Sequence, residues 1–190
     1  KKYGFNEFIL ATGYKHQVIE KYFKKNKFKK IKISWVYTGK LTNTGGRILK
    51  LKRFFNKQEN FFLTYGDGIS NQNFTDLFNF HIKNKKTATI TVVRPPARFG
   101  EVKLSKNNSV SEFKEKPSVS KGWINGGFFV LNYKIFNYLK KNEIFEKSPL
   151  EKLVKKKELI AYKHKGFWQC MDTPRDKEKL SKLLKAKLVN

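Results

Sequence analysis

The sequence has little that could cross-link the chain or place it in a membrane. It holds one cysteine, Cys170, so a disulfide within the chain is excluded and a structural zinc cluster is not expected. No stretch approaches 18 apolar residues, which argues against a transmembrane helix. The opening residues, KKYGFNE, lack the apolar segment of a signal peptide. Together these absences make the cytoplasm the expected compartment.

Acidic residues and arginine are also scarce. The 190 residues carry 42 Lys and Arg against 15 Asp and Glu, a formal net charge of +27. Only five of the basic residues are arginine, which is the residue best suited to bidentate recognition of bases and phosphates. Lysine is abundant together with asparagine, isoleucine and phenylalanine, as in an AT-rich genome. We interpret the charge as a codon bias that also attracts small polyanions, and a basic nucleic-acid-binding module is the alternative from another class.

The chain does have enough apolar material for a core. Hydrophobic residues make up 39% of it and aromatic residues 15%, with 18 phenylalanines. This composition argues against global disorder, and the length fits a single domain over residues 1–190.

Apolar periodicity in the first half predicts strands that alternate with helices. The predicted strands are Phe8–Ala11, 31–36, Phe61–Tyr65 and Thr87–Val93, and the predicted helices are His16–Phe23, 48–55 and Asn73–Asn84. A loop over 38–46 (TGKLTNTGG) is expected before the second helix. This alternation is typical of a parallel, doubly wound sheet with helices on both faces.

After Pro96 the pattern changes. Short strands are predicted over 100–104, 110–115, 127–131 and 159–162, and helices over 133–140, 149–157 and from Pro174 onward. Strands with few helices between them indicate a mixed or antiparallel extension. The predicted fold class is therefore α/β, with a mixed but mostly parallel sheet flanked by helices.

The segment Tyr65-Gly66-Asp67-Gly68 is the first candidate site. It ends a predicted strand, and ligands of open α/β sheets bind outside the carboxyl ends of the strands. Glycines on both sides of Asp67 let a ligand approach the backbone and permit a positive φ in the turn. The carboxylate suits Mg²⁺ that carries a phosphate substrate. The alternative is an ordinary Asp-Gly turn.

Eight short motifs occur in an order that resembles the sugar-phosphate nucleotidyltransferases. They are ILATGYK (9–15), TGGR (44–47), YGDG (65–68), PPARFG (95–100), EKP (115–117), NGGFFV (125–130), GFW (166–168) and MDT followed by RD (171–176). The TGGR, PPARFG and MDT motifs point to the glucose-1-phosphate cytidylyltransferases within that family, rather than to enzymes that use dTTP or UTP. Those other nucleotides, or another sugar phosphate, stay open as alternatives.

The resemblance implies a GT-A-like nucleotide-diphospho-sugar transferase fold and a reaction. CTP and α-D-glucose 1-phosphate would give CDP-glucose and pyrophosphate, with Mg²⁺ as the cofactor. CDP-glucose would then feed cell-surface sugars such as those of O-antigen lipopolysaccharide. The implied partners are these two substrates and, for a full-length enzyme, further copies of the same chain, with no membrane or nucleic acid.

The resemblance also implies roles for single residues. Asp67 and Asp172 are expected to share the metal, and Lys116 to contact the sugar phosphate. Sugar contacts are expected from the three residues Gly100, Glu115 and Asn125. Nucleotide contacts are expected from the three residues Thr42, Arg47 and Gly66.

Each of these residues has a plainer interpretation. Asp172 could cap the helix at Pro174, and Arg47 could be a surface helix residue. Asn125 could merely cap its turn, and the pair Glu115 and Lys116 could be a solvated ion pair. Trp168 is expected to pack beside the metal turn.

The family's N-terminal glycine-rich loop, its catalytic arginine and a phosphate-binding lysine have no match here. We therefore expect that the first strand-loop-helix unit of the fold is missing, and that this chain alone has little or no activity.

Overall fold

The computed structural model describes residues 3–26, 28, 30–95, 101–115 and 122–186. The strands are β1 Glu7–Thr12, β2 Lys32–Tyr37, β3 Asn60–Thr64, β4 Gly68–Ser70, β5 Ala88–Val93, β6 Glu101–Leu104, β7 Val110–Lys114, β8 Ile124–Asn132, β9 Leu159–Lys163 and β10 Trp168–Cys170. The helices are α1 His16–Lys25, α2 Thr44–Lys50, α3 Phe74–Asn84, α4 Ser148–Lys155 and α5 Pro174–Lys185. Two 3₁₀ turns, Lys52–Phe54 and Tyr133–Tyr138, complete the elements. Among the residues so described, no helix is long and apolar enough to cross a bilayer.

The largest sheet has four strands in the order β3-β8-β5-β9. Tyr65 N–H, after β3, donates to Gly127 at the start of β8, and Tyr133 N–H, after β8, donates to Glu59 before β3. These two bonds make β3 and β8 antiparallel. Strand β5 is antiparallel to β8, since Asn132 N–H at the end of β8 donates to Thr87 just before β5, and a Cβ on Gly126 near the start of β8 would lie 3.0 Å from the Thr91 carbonyl oxygen. It is parallel to β9, since Ala88 N–H donates to Glu158 and His164 N–H donates to Val92. The sheet is therefore mixed, and the predicted α/β class with a mixed sheet is confirmed.

The chain divides into two compact units. Unit 1 comprises Lys1–Phe61, Phe74–Ala88 and Val130–Ile160, and unit 2 comprises Phe62–Asn73, Thr89–Phe129 and Ala161–Asn190.

Unit 1 contains the parallel pair β1 and β2, connected through α1. The buried threonines Thr12 and Thr38 lie at the carboxyl ends of these strands, where Thr38 N–H donates to the Thr12 carbonyl at 2.8 Å. The core of the unit consists of apolar side chains with almost no exposure: Leu77, Val130, Leu131, Ile135, Phe145 and Leu153. Burial of this apolar surface is the main stabilising contribution to the unit.

Unit 2 contains two antiparallel pairs, β4 with β10 and β6 with β7. Its core consists of buried residues from β5, the first part of β8 and α5: Ile90, Val93, Phe128, Phe129 and Leu180. The buried threonine Thr91 donates from its hydroxyl to Gln72 Oε1 at 3.0 Å, so the hydroxyl and the amide oxygen of these two side chains pair inside the unit.

The structure differs from the sequence-based expectations at three places. Strand β8 lies between β3 and β5, so the strands of the first half do not form the continuous parallel sheet that was expected. Helix α2 begins at Thr44, inside the predicted loop over 38–46, and residues Tyr133–Tyr138 form a 3₁₀ turn rather than an α-helix. Strands β4 and β10 were not predicted, because three residues are too few for a periodic pattern.

Candidate functional site

The two aspartates predicted to hold the metal are carried by neighbouring segments of unit 2. Strands β4 and β10 pair antiparallel, with Gly68 opposite Cys170. The ladder extends one residue further, because Met171 N–H donates to the Asp67 carbonyl at 2.9 Å. Asp67 therefore lies opposite Met171, and Asp172 follows directly. Residues 105 positions apart in sequence thus become neighbours, and both are exposed.

The turn that carries Asp67 leaves space for a ligand. A Cβ added to Gly66 would meet no heavy atom of the described part of the chain within 4 Å. Neither Gly66 nor Gly68 has a positive φ, so the expectation that this turn uses a left-handed glycine is wrong. A larger residue would therefore be sterically acceptable at position 66 as far as the described chain is concerned. The feature of Gly66 that is relevant to ligand binding is the open space next to its backbone. Within the described residues, no side chain forms a hydrogen bond or ion pair with the Asp67 carboxylate.

Asp172 does not cap the helix that follows it. The N-cap of α5 is Thr173, whose hydroxyl accepts from Asp176 N–H while the Asp176 carboxylate accepts from Thr173 N–H in a complete capping box. The helix-cap interpretation of Asp172 is therefore wrong. Instead, the Cys170 thiol donates to Asp172 Oδ2 at 3.2 Å.

The donor chemistry of this ladder fits a hard divalent cation. Two exposed carboxylates supply oxygen ligands, which Mg²⁺ prefers. Among the described residues no group of three or more His, Cys, Asp or Glu could hold a metal ion. A pair of carboxylates is the donor number expected where substrate phosphates and water complete an octahedral shell, and it does not suit an all-protein cage.

The NGG motif fixes the start of β8 in the same unit. Asn125 Oδ1 accepts from Gly127 N–H at 2.8 Å, so Asn125 does cap its own turn. Gly127 has φ +75°, and a Cβ there would lie 2.9 Å from the Tyr65 ring. Trp168 Nε1 donates to the Gly126 carbonyl at 2.7 Å, which connects β10 to this turn. The Asn125 side-chain amide nitrogen has no protein partner among the described residues, and the side chain is exposed.

Three further predicted sugar contacts have different outcomes. Glu115 follows β7 in unit 2 and is exposed. Lys116 and Gly100 lie outside the described residues.

The predicted nucleotide contacts Thr42 and Arg47 belong to unit 1 and bond to the ends of β1 and β2. Arg47 Nη1 donates to the Thr12 carbonyl at 3.0 Å and to Thr38 Oγ1 at 2.5 Å. Thr42 Oγ1 donates to the Thr38 carbonyl at 2.6 Å. Arg47 is half-buried, so the interpretation of a surface helix residue is wrong, and its Nη1 group is already bonded to the chain itself.

Lys50 was missed by the sequence reasoning. Its Nζ donates to the Thr38 carbonyl at 2.5 Å, one turn of helix from Arg47. The spacing of three residues between two cations on one helix was the available indication. The Thr-Gly pairs at residues 12–13 and 38–39, each closing a strand, indicated where these cations bind.

The glycines of TGGR serve packing within unit 1. A Cβ on Gly45 would lie 2.7 Å from the Glu143 carbonyl oxygen, and one on Gly46 would lie 2.9 Å from the Asn142 Cα. Thr44 Oγ1 donates to Glu146 Oε2 at 2.6 Å and accepts from Phe145 N–H at 2.9 Å. The motif thus seats the first turn of α2 against the backbone of 142–145.

Known proteins that resemble this chain agree with its α/β fold and with the order of its motifs. The model of the nucleotidyl transferase family matches residues 1–182. The chain therefore belongs to the nucleotidyl transferase family, as the order of its motifs predicted. Enzymes of this family generally use a divalent metal ion.

Curated relatives narrow the class to sugar-phosphate nucleotidyltransferases. The chain is 38% identical over 203 residues to a probable glucose-1-phosphate cytidylyltransferase of Bacillus subtilis, covering 95% of this chain and 79% of that protein. It is 35% identical over 197 residues to glucose-1-phosphate cytidylyltransferase of Salmonella typhimurium, covering 92% and 76%. It is also 32% identical over 189 residues to a D-glycero-α-D-manno-heptose 1-phosphate guanylyltransferase of Aneurinibacillus thermoaerophilus, covering 96% and 80%.

Solved structures confirm the fold. HddC from Yersinia pseudotuberculosis matches with a TM-score of 0.75 at 21% identity, covering 96% of this chain and 80% of that one. An apo UDP-glucose pyrophosphorylase matches with a TM-score of 0.68 at 17% identity, covering 96% and 82%.

Proposed function

We propose that this protein transfers the cytidylyl group of CTP to α-D-glucose 1-phosphate, which forms CDP-glucose and releases pyrophosphate. The observation that supports the proposal is the ladder that makes Asp67 and Asp172 neighbours, in a chain 35–38% identical to named glucose-1-phosphate cytidylyltransferases. CDP-glucose used for cell-surface sugars such as O-antigen lipopolysaccharide is part of the proposal. Cytoplasmic location and a homo-oligomeric full-length enzyme stay predictions.

In the proposed reaction an oxygen of the sugar phosphate attacks the α-phosphorus of CTP in line, and the bond from that phosphorus to the pyrophosphate oxygen breaks. Because both substrates are polyanions, positioning and charge neutralisation account for most of the rate enhancement. Asp67 and Asp172 would hold Mg²⁺, which supplies positive charge at the α-phosphate and the attacking phosphate. No protein nucleophile is needed.

The remaining residues would orient the two substrates. The open space over Gly66 leaves room for the nucleotide to approach the backbone. The exposed Glu115 carboxylate would accept hydrogen bonds from sugar hydroxyls, and Asn125 would donate through the amide nitrogen that the turn does not use. Lys116 is proposed to contact the sugar phosphate, and the Gly100 backbone to contact the sugar.

Selection of the base is proposed to involve the edge formed by the ends of β1 and β2. Thr42 and Arg47 are engaged with Thr38 and Thr12, so we propose that they shape this edge as well as contact the nucleotide. Relatives include both cytidylyl- and guanylyltransferases, so family membership alone does not fix the base.

The test compares four nucleotides. The chain is titrated with CTP, UTP, GTP and dTTP in the presence of Mg²⁺ or of EDTA, and then incubated with each nucleotide and glucose 1-phosphate. The proposal predicts that CTP binds most tightly and that Mg²⁺ strengthens its binding; because this chain alone is expected to have little or no activity, any nucleotide sugar is formed slowly and is CDP-glucose. Preferential binding of another nucleotide would contradict the assignment of CTP. Binding of all four without any effect of Mg²⁺ would contradict the transferase site itself.

A further inference from the structure

Unit 1 contains a cavity that shares no residue with the site described above. Its volume is about 680 Å³, within the range typical of small-molecule sites. It is lined by the end of α3, by the end of β8 with the 3₁₀ turn after it, and by the end of α4 with the residues that follow.

The charges around this cavity are almost all positive. Five lysines line it: Lys85, Lys86, Lys134, Lys152 and Lys156. Among the described residues, the one lining carboxylate belongs to Glu158, whose Oε2 accepts from Thr87 N–H at 2.9 Å and from Thr87 Oγ1 at 2.7 Å. These two hydrogen bonds lower the pKa of Glu158, with smaller contributions from Lys86 and Lys134. The carboxylate is therefore ionised at neutral pH but is already used to hold the start of β5.

Few of these lysines are neutralised by the protein. Lys152 lies 3.8 Å from Glu143, a long ion pair, and the Lys156 ammonium lies 5.6 Å from the centroid of the Tyr138 ring. Within the described ranges, no carboxylate lies within ion-pair distance of Lys85, Lys86 or Lys134. Several ammonium groups facing one concave space repel each other, and a bound anion would relieve that repulsion.

The inner wall of the cavity is polar and held in place. Asn60 Oδ1 accepts from Asn132 Nδ2 at 2.9 Å and lies 3.1 Å from His81 Nε2. Since Asn60 Oδ1 is an acceptor, His81 Nε2 carries the proton. Burial lowers the pKa of His81, so the ring is neutral at physiological pH, and its Nε2 proton is used by Asn60 within the wall rather than adding a sixth charge.

We propose that this cavity binds a small phosphorylated polyanion, at a second site separate from the nucleotidyl-transfer residues. A compound with two or three linked phosphates provides the opposing charge for several lysines, and lysine binds phosphate as a mobile point charge. The Tyr138 ring and the Ile82 side chain also line the cavity and offer apolar surface to an organic group on that ligand. A concave space of this volume encloses a small molecule, whereas nucleic acid would require a basic surface that extends along a strand.

The test uses inorganic tripolyphosphate without divalent metal and follows the three histidine rings by ¹H–¹³C NMR at physiological ionic strength. His16 and His164 are assigned by the variants His16→Gln and His164→Gln, which leaves the His81 resonance identified. The proposal predicts a saturable shift of the His81 signal near one equivalent of bound tripolyphosphate. The signals of the other two rings should move much less.

Two double variants separate this site from general attraction to a basic protein. Lys86→Gln with Lys134→Gln removes two charges from the cavity, and Lys21→Gln with Lys25→Gln removes two exposed charges from α1 in the same unit. The cavity variant should weaken the tripolyphosphate affinity measured at His81 by about tenfold or more, and the α1 variant by less than about twofold. An unshifted or non-saturating His81 signal, or equal weakening in both variants, would overturn the proposal. A far-ultraviolet circular dichroism spectrum that matches the parent chain in each variant shows that the fold is intact.

Discussion

Two glycine-containing motifs of this chain differ in what surrounds their glycines. In TGGR, a Cβ added to Gly45 or to Gly46 would lie less than 3 Å from the backbone of residues 142–143. In YGDG, a Cβ on Gly66 would meet none of the described residues within 4 Å, and one on Gly68 would make ordinary contact with the Phe128 ring. The first motif needs glycine for the chain to pack against itself, whereas no described residue requires glycine at Gly66.

Both motifs are equally recognisable in the sequence, but this difference distinguishes glycines needed for packing from a glycine that leaves space for a ligand. A glycine with no steric demand from its own chain is a better candidate for ligand approach than one that is packed. It also distinguishes the charged residues nearby. Arg47 donates to two groups of its own unit, while the Asp67 carboxylate has no side-chain partner among the described residues. Three predictions test this contrast, and a fourth tests the buried histidine of unit 1.

The largest effect is expected at the open motif. Asp67→Asn removes a proposed metal ligand, so we expect Mg²⁺-dependent CTP affinity to fall by about a hundredfold, ~2.7 kcal/mol of binding free energy. Isothermal titration with Mg²⁺ and with EDTA measures this. Asp176→Ala is the matched control, because it removes the capping carboxylate of α5 and costs about 1 kcal/mol of stability without touching the ladder. Equal CTP affinity in Asp67→Asn and the parent chain would contradict the metal role.

A substitution in the packed TGGR motif should lower the stability of the protein. Gly46→Ala places a methyl group against the Asn142 backbone, so the free energy of unfolding should fall by about 1–3 kcal/mol. Urea unfolding followed by circular dichroism measures the change. Helix propensity alone predicts that the free energy of unfolding rises by about 1 kcal/mol. An unchanged or raised free energy of unfolding would therefore show that the backbone of 142–145 moves to accommodate the added methyl group.

Gly66→Ala is the counterpart in the open motif. Because its Cβ enters empty space and its φ is not left-handed, stability should change by less than about 1 kcal/mol. CTP affinity should nevertheless weaken, by about tenfold or less, since the methyl group occupies the space proposed for the nucleotide. A Gly66→Ala variant that binds CTP as tightly as the parent chain would contradict the proposal that the nucleotide occupies this space.

The smallest effect concerns pH in unit 1. Burial lowers the pKa of His81 in the folded state, so between that value and the ordinary histidine pKa of about 6.5 the unfolded chain binds more protons. The contribution of His81 to stability is therefore complete above the ordinary value and declines as the pH falls through this range. An NMR pH titration of the His81 ring should give a midpoint below the ordinary histidine pKa. A midpoint above that value would contradict the assignment of a neutral, buried ring.

The sequence predicted elements with a strong periodic pattern. Strand β5, with its run of β-branched residues, and α3 were placed within a residue or two. The position of β8 between β3 and β5 was not predictable, because strand order depends on long-range pairing rather than on local propensity. The pairing of β4 with β10 has the same origin, and it is this pairing that makes Asp67 and Asp172 neighbours.

Sequence reasoning could propose a site residue without the family resemblance only where the residue type itself indicates one kind of chemistry. Aspartate between glycines at a strand end indicated a cation site from the residues alone, whereas Asp172 was proposed only through the resemblance. The bonds of Arg47 and Lys50 to Thr12 and Thr38 could not be predicted, since they depend on how α2 packs against the end of the β1–β2 pair. The capping role of Thr173 was recognisable from Thr-Pro-x-Asp, but Asp172 was the residue considered for that cap.

The most direct measurement counts Mn²⁺ ions bound in the presence of CTP by electron paramagnetic resonance, in the parent chain, in Asp67→Asn, in Asp172→Asn and in the double variant. If the two carboxylates share one ion, each single variant weakens the same Mn²⁺ site and the double variant is scarcely weaker than either single one, because residues that act together are not additive. Additive losses, or a single variant that retains the parent affinity, would show that the aspartates do not hold a common cation.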